Sequence, residues 1–196
     1  MTLSFTTKWP KKMGADAGKP NHFTNKIAKG VWQNYPKLFN EHTNTFSDSD
    51  WNKFDKIKPF ENISEYDKER LYPKIHTIRN DKNNRWKVGS KIHPVINNRT
   101  KNRFQFTPTL EVKGIQRIEI EWTDLGSLLG REALIYIDNI KCVGKYSEID
   151  KYHYDFPGQS LQNLALNDGF ESVEQFFSWF NKDFNGKIIH WTNLTY

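Results

Sequence analysis

The sequence predicts an α+β fold: a small β-barrel or curled sheet of about five to six mainly antiparallel strands, helices at its rim, and an insertion of helix and loop. Three observations predict it. Between residues 74 and 144, short segments alternate apolar and polar residues and are separated by turn signals. Helical spacing is confined to the two ends of the chain. Finally, only 36% of residues are hydrophobic, yet the chain carries 14 Phe and 7 Trp, so large rings must supply much of the buried area. A length of 196 residues suits a single domain over 1–196.

Taken in order, "TLSFTTKW" at 2–9 reads as a first strand, with Leu3 and Phe5 alternating against polar neighbours. "PKKMGADAGKPN" is loop by its Gly and Pro content. Asn21 can cap a helix carrying Phe23, Ile27 and Val31, with Gly30 as its C-cap. Residues 31–71 are polar but studded with aromatics. So long a loop is rare inside a compact domain. This insertion is therefore read as short helices anchored by Trp32, Phe39, Trp51 and Phe54, and Ser64 can cap a further helix, "EYDKERLY". Strands follow: "KIHTIR", "KIHPVIN", "RFQFTPTLEVKG", "IQRIEIEW" and "ALIYIDNIKCVG", the last containing an Asp138-Asn139 turn signal. Ser160 can cap "LQNLALNDG", which Gly169 stops. Ser172 starts a helix with Phe176, Phe177 and Phe180 on one face. "GKIIHWTNL" closes the chain as a strand.

Composition bounds the function. Lys and Arg number 29 against 23 acids, a formal charge of +6, which suits a polyanion or phosphate-bearing ligand as well as plain solubility. A single cysteine, Cys142, gives neither an intrachain disulfide nor a cysteine zinc site. With no apolar leader or spanning run, the expected setting is cytoplasmic, with no membrane partner. The six histidines are scattered without ligand spacing, so no metal is expected. No Gly-rich phosphate loop is present, and no cofactor is implied.

The densest chemistry lies in "YPKIHTIRNDKNNRWKVGSKI", residues 72–92. Lys74, Thr77 and Arg79 precede an Arg-Trp-Lys-x-Gly turn formed by Arg85, Trp86, Lys87 and Gly89. With the strands that follow and "LALNDGFESVEQFFSWF", this pattern resembles the ASCH family of the PUA-like superfamily, whose signature is Gly-x-Lys-x-x-Thr-x-Arg followed by a Trp-x-x-Gly-Asp turn. Tyr72 stands at the motif glycine and Ser90 at the turn aspartate. The likeness is weak over 1–30 and fair over 72–194. It has no counterpart for 31–71, and the long form resembles phage-type relatives. The resemblance implies a small β-barrel and a role in RNA or modified-nucleoside biology. One branch of the family removes the acyl group of acetylcytidine with a Lys, a nucleophilic Thr and a Glu. Lys74 and Thr77 match two of these, and Asp168 stands at the third with a shorter side chain.

On a regular strand Thr77 and Arg79 share one side and Lys74 faces the other, so a Lys74–Thr77 pair needs a bend at 74–76. Were they to meet, Lys74 could serve as base for the Thr77 hydroxyl, Arg79 could anchor an anion and Asp168 could relay a proton. The same residues also fit an ordinary strand with solvated bases. Trp86 between Arg85 and Lys87 could stack a base or pack beneath its turn. Three functions remain open: binding of RNA or a modified nucleotide beside Lys74, Thr77, Arg79 and Asp168; amidohydrolysis of an acylated nucleoside; and a protein-interaction module built on the insertion. The sequence does not specify oligomeric state.

Overall fold

A computed structural model describes residues 1–55, 71–138, 140–149, 151, 153–155 and 160–196. The described chain is α+β. Strand β1 (Thr2–Ser4) leads through a 3-10 turn (Lys11–Asp16) to helices α1 (Phe23–Asn34), α2 (Pro36–Thr43) and α3 (Asp48–Asp55). Strands β2 (His76–Arg79), β3 (Lys91–Ile96), β4 (Phe104–Gln105), β5 (Leu110–Glu111), β6 (Gly114–Asp124), β7 (Arg131–Ile137), β8 (Ile140–Ser147) and β9 (His153–Asp155) follow. Helices α4 (Leu161–Asn167) and α5 (Val173–Trp179) precede the last strand, β10 (Phe184–His190).

Two sheets result. A six-stranded antiparallel sheet runs β2-β10-β6-β7-β8-β9. A smaller sheet places β3 beside β1 in parallel and against β4 and β5 in antiparallel pairing. Among the described residues these sheets do not close into a barrel. Among the described residues the outer edge of β2 meets no strand, and just ahead of it the Lys74 N–H donates to the Lys26 carbonyl at 3.0 Å and the Ile75 N–H to the Asn167 carbonyl at 3.0 Å. The Ile78 N–H donates to the Asp168 carboxylate at 3.1 Å.

The period-2 alternation of β10 divides two cores. Ile188 faces α4 and α5 with Ile78, Ile118, Ile120, Phe176 and Phe177. Ile189 and Trp191 face the smaller sheet and α1 with Phe5, Ile27, Ile92 and Phe106. The inserted helices join this second core. Phe39 and Phe54 are buried, and Phe46 lies edge-on to Trp51, Phe54 and Phe104 at 5.4–5.5 Å. Trp32, expected as an anchor, is 43% exposed. The helix expected after Ser64 lies outside the described residues.

Several expectations need correction: the N-cap of α1 is His22 rather than Asn21, and "RFQFTPTLEVKG" forms two short strands, β4 and β5, rather than one. The first strand is short, Thr2–Ser4 rather than 2–9, although the Phe5 N–H still reaches the Val95 carbonyl at 2.9 Å. Gly30 does not end α1, which continues to Asn34. It marks instead a close approach between elements: a Cβ there would stand 2.7 Å from the Lys74 carbonyl oxygen, so a side chain would force α1 away from the segment entering β2.

Candidate functional site

The site is built around the end of α4. Ser160 caps its start, accepting from the Asn163 N–H. At its end the Gly169 N–H donates to the Leu166 carbonyl at 2.8 Å and the Phe170 N–H to the Ala165 carbonyl at 2.9 Å. This pair of bonds is a Schellman closure, which needs a left-handed residue just past the cap. Gly169 supplies it with φ +91°. The closure turns the Asp168 side chain and the Asp168 and Gly169 carbonyls toward the edge of β2.

Two buried lysines use these acceptors. Lys74, 2% exposed, donates through Nζ to both the carboxylate and the carbonyl oxygen of Asp168. Its Nζ also lies 5.1 Å from the centre of the Phe23 ring. Lys26, also 2% exposed, donates to the Gly169 carbonyl at 2.7 Å and lies 3.6 Å from the carboxylate of exposed Glu171. Burial pushes the Lys74 amine down to about 8, further lowered by Arg79 and Lys26 and opposed by Asp168. Burial raises the Asp168 carboxyl, opposed first by Lys74. The pair is therefore held ionised by mutual attraction while its dry surroundings favour both neutral forms.

Thr77 and Arg79 occupy the other face of β2. Thr77 pairs in register with Ile189, and Ile189 belongs to the core of the smaller sheet. Thr77 is 2% exposed, and no hydrogen bond joins its hydroxyl to Lys74 or Asp168 among the described residues. Arg79 donates from Nη2 to the Ser4 carbonyl at 3.2 Å, and its guanidinium lies 5.2 Å from the Phe5 ring centre. Its Nε is buried without a partner in the protein, as is Nε1 of Trp191 on the same face. Thus the geometry brings Lys74 and Asp168 together and groups Thr77 with Arg79, and the strand separates the two pairs.

The turn after β2 is organised by Asp81. Its carboxylate accepts the Arg85 N–H at 2.9 Å, the Trp86 N–H at 3.0 Å and Lys187 Nζ at 2.9 Å. Trp86 is 5% exposed and packs in the core of the smaller sheet, so its ring faces are occupied by protein. Arg85 and Lys87 flank it in solvent.

Several polar residues here were not singled out from sequence. Lys26 lies one helical turn from Phe23 and beside Ile27, so the apolar face of α1 already contained it. His76 and His190 pair directly across β2 and β10, both fully buried, with ring centres 5.3 Å apart and no ring nitrogen bonded to the protein. Burial lowers His76 well below the usual imidazole range and His190 to about 4. No local pattern marks such a pair, since its members are far apart in the chain. Among the described residues no group of three or more His, Cys, Asp or Glu could hold a metal ion, and no helix is long and apolar enough to cross a membrane.

Compared with protein-family models, curated proteins and solved structures, the chain matches none of them.

Proposed function

We propose that the protein binds a nucleotide, either as a modified nucleotide or within RNA, along β2, on a PUA-like arrangement in which the two sheets stand for an opened barrel. One observation carries this reading: β2 and its continuation with β10 are rich in buried donors and poor in acceptors. Lys26 and Arg79 both lie within electrostatic reach of Lys74, set against the Asp168 carboxylate that pairs with Lys74 and, at the surface, Glu171 beside Lys26. Arg79 Nε and Trp191 Nε1 have no acceptor in the protein. Buried donors left unmade are costly, and a guanidinium favours planar oxyanions such as phosphate. A phosphate or base carbonyl at Arg79, with the Thr77 hydroxyl beside it, would satisfy both.

The test is binding of nucleotides by calorimetry to the wild type, Arg79→Gln and Thr77→Val. Arg79→Gln should weaken binding by about 1.5–3 kcal/mol, the range for a hydrogen bond to a charged group. Unchanged binding in Arg79→Gln would remove the reading.

A second reading has its own support. An amine pushed down to about 8 and held against a buried carboxylate is a poised base, as amidohydrolysis of an acylated nucleoside such as acetylcytidine requires. Thr77 would be nucleophile, Lys74 base and Asp168 proton relay, but the hydroxyl and amine would first have to come within hydrogen-bond reach. Loss of the acyl group is the measurement: turnover abolished by Thr77→Val and by Lys74→Arg supports catalysis, and wild-type binding without turnover leaves the binding reading alone.

A further inference from the structure

The β3–β4 hairpin ends in "NNRTKNR", residues 97–103. Arg99, Lys101 and Arg103 are exposed, and none of the three forms an ion pair among the described residues. Other surface bases are matched, as in Lys91 and Lys113 on Glu111, Lys145 on Glu132 and Arg117 on Glu119, while Lys82, Arg85 and Lys87 are likewise exposed with no ion pair among the described residues. What marks the tip is three bases within five residues. The tip contains no acid, and its backbone forms a hydrogen-bonded turn. Asn97 and Arg99 take left-handed φ values of 51° and 63°. The Thr100 hydroxyl donates to the Asn97 carbonyl at 2.8 Å and accepts the Asn102 N–H at 3.1 Å. The Arg103 N–H donates to the Thr100 carbonyl at 3.1 Å. Three like charges are thus presented together on a fixed turn.

Register places this turn. Parallel pairing sets Ser4 beside Val95, and Phe5 bonds onward to the Val95 carbonyl. The hairpin leaves the sheet just beyond Ile96, which pairs with Phe104. The tip therefore projects from the end of the smaller sheet that carries Ser4 and Phe5. Arg79 reaches that same end, bonded to the Ser4 carbonyl and lying over the Phe5 ring.

We infer that the 97–103 turn is a backbone contact for a single-stranded nucleic acid whose bound nucleotide lies at Arg79. This rests on the binding reading above and deepens it: the ligand is a strand rather than a free nucleotide. Three unpaired cations beside an anion anchor match a chain of regularly spaced phosphates. The Asn98 and Asn102 side-chain amides of the tip add hydrogen-bonding groups suited to phosphate and sugar. The turn has no apolar side chain to enter a lipid surface, which argues against a membrane.

The experiment compares a mononucleotide with single-stranded RNA and DNA of about ten nucleotides, within the usual site size of such grooves, across a salt series. The proteins are wild type, Arg79→Gln and the triple variant Arg99→Gln, Lys101→Gln, Arg103→Gln, with melting curves to verify folding. The triple variant should bind the strand at least about tenfold more weakly at low salt. Its log–log salt slope should fall by about two, since each phosphate contact on a single strand contributes about 0.7. Mononucleotide binding should stay within about twofold. An unchanged strand affinity and slope in the triple variant overturns the inference and leaves the Arg79 site standing if mononucleotide still binds. Wild type that binds neither probe removes the Arg79 reading and this inference with it. Polyglutamate bound as tightly as the strand overturns the assignment to nucleic acid. RNA and DNA bound alike supports recognition through phosphate, and preference for RNA supports it with a 2′-hydroxyl contact added.

Discussion

Two buried polar pairs sit close together, one just ahead of β2 and one within it, and they are treated in opposite ways. Lys74 meets Asp168, each group charged and hydrogen-bonded. Two residues on, His76 meets His190, and neither ring bonds to anything in the protein. The difference follows from what each group loses on burial. An isolated ammonium or carboxylate in a dry interior is prohibitive, so it must have its partner. An imidazole can shed its proton and remain as a neutral aromatic, which costs only its hydrogen bonds. One pair is therefore held by attraction, and the other is tolerated through neutrality.

The comparison breaks most visibly at Asp168. Asp168→Ala leaves Lys74 buried without its counter-charge and deprives the Ile78 N–H of its acceptor. Urea denaturation should show a loss of about 3–5 kcal/mol. The double variant Lys74→Met, Asp168→Leu should recover most of it, because an apolar pair of similar volume replaces the charges; a double variant as unstable as Asp168→Ala would show that the charge was not the issue.

The histidine pair answers to acid instead. Its folded-state pKa values lie below the ordinary 6.5, with His190 near 4, so the unfolded chain takes up protons first. Stability from this source is complete above about pH 6.5 and is lost as pH falls toward 4. His190 alone accounts for roughly 3–4 kcal/mol, from a shift of its pKa from 6.5 to about 4 worth about 1.4 kcal/mol per unit. The variant His76→Phe, His190→Phe should flatten the profile between pH 7 and 5. An equally steep profile in the variant would assign the acid sensitivity to other groups.

A smaller effect sharpens the geometry of the charged pair. Gly169→Ala asks for a side chain at φ +91°, with its Cβ about 3.0 Å from Lys74 Cδ and the Phe23 ring. It should cost about 1–3 kcal/mol by thermal melting, while Asn, which tolerates the left-handed region better, relieves only the backbone part. The smallest change is expected at Glu171→Gln. That carboxylate is 65% exposed opposite buried Lys26, so loss of the bridge should cost under about 1 kcal/mol, and a larger cost would show that Lys26 depends on it.

The same contrast explains what the sequence made legible. Ser160, Gly169 and Ser172 announced their helix ends because capping chemistry is local. Strand alternation argued that Lys74 and Thr77 could meet only through a bend; Lys74 lies just ahead of β2 and meets Asp168, while Thr77 lies within the strand opposite Ile189. Gly30 read as a stop because its local signal is that of a C-cap, whereas its reason is the Lys74 carbonyl across a tertiary contact. Trp86 read as a packed ring ahead of a stacking one, and the Asp81 and Lys187 network, 106 residues apart, holds its turn inward. Barrel closure was inferred from a run of strands, but the edge of β2 is occupied by a helix end, which no strand pattern encodes. The histidine pair was invisible for the same reason.

The bond from the Ile78 N–H to the Asp168 carboxylate has a consequence for solution behaviour. A sheet edge with free donors is a template on which another chain can add a strand. Here that edge is closed by one side chain and the turn that carries it, with the Asn167 carbonyl covering Ile75 beside it. Asp168 thereby guards a strand edge: without its carboxylate the Ile78 N–H of the buried strand His76–Ile78 loses its acceptor, and light scattering of concentrated Asp168→Ala should show more self-association than the wild type.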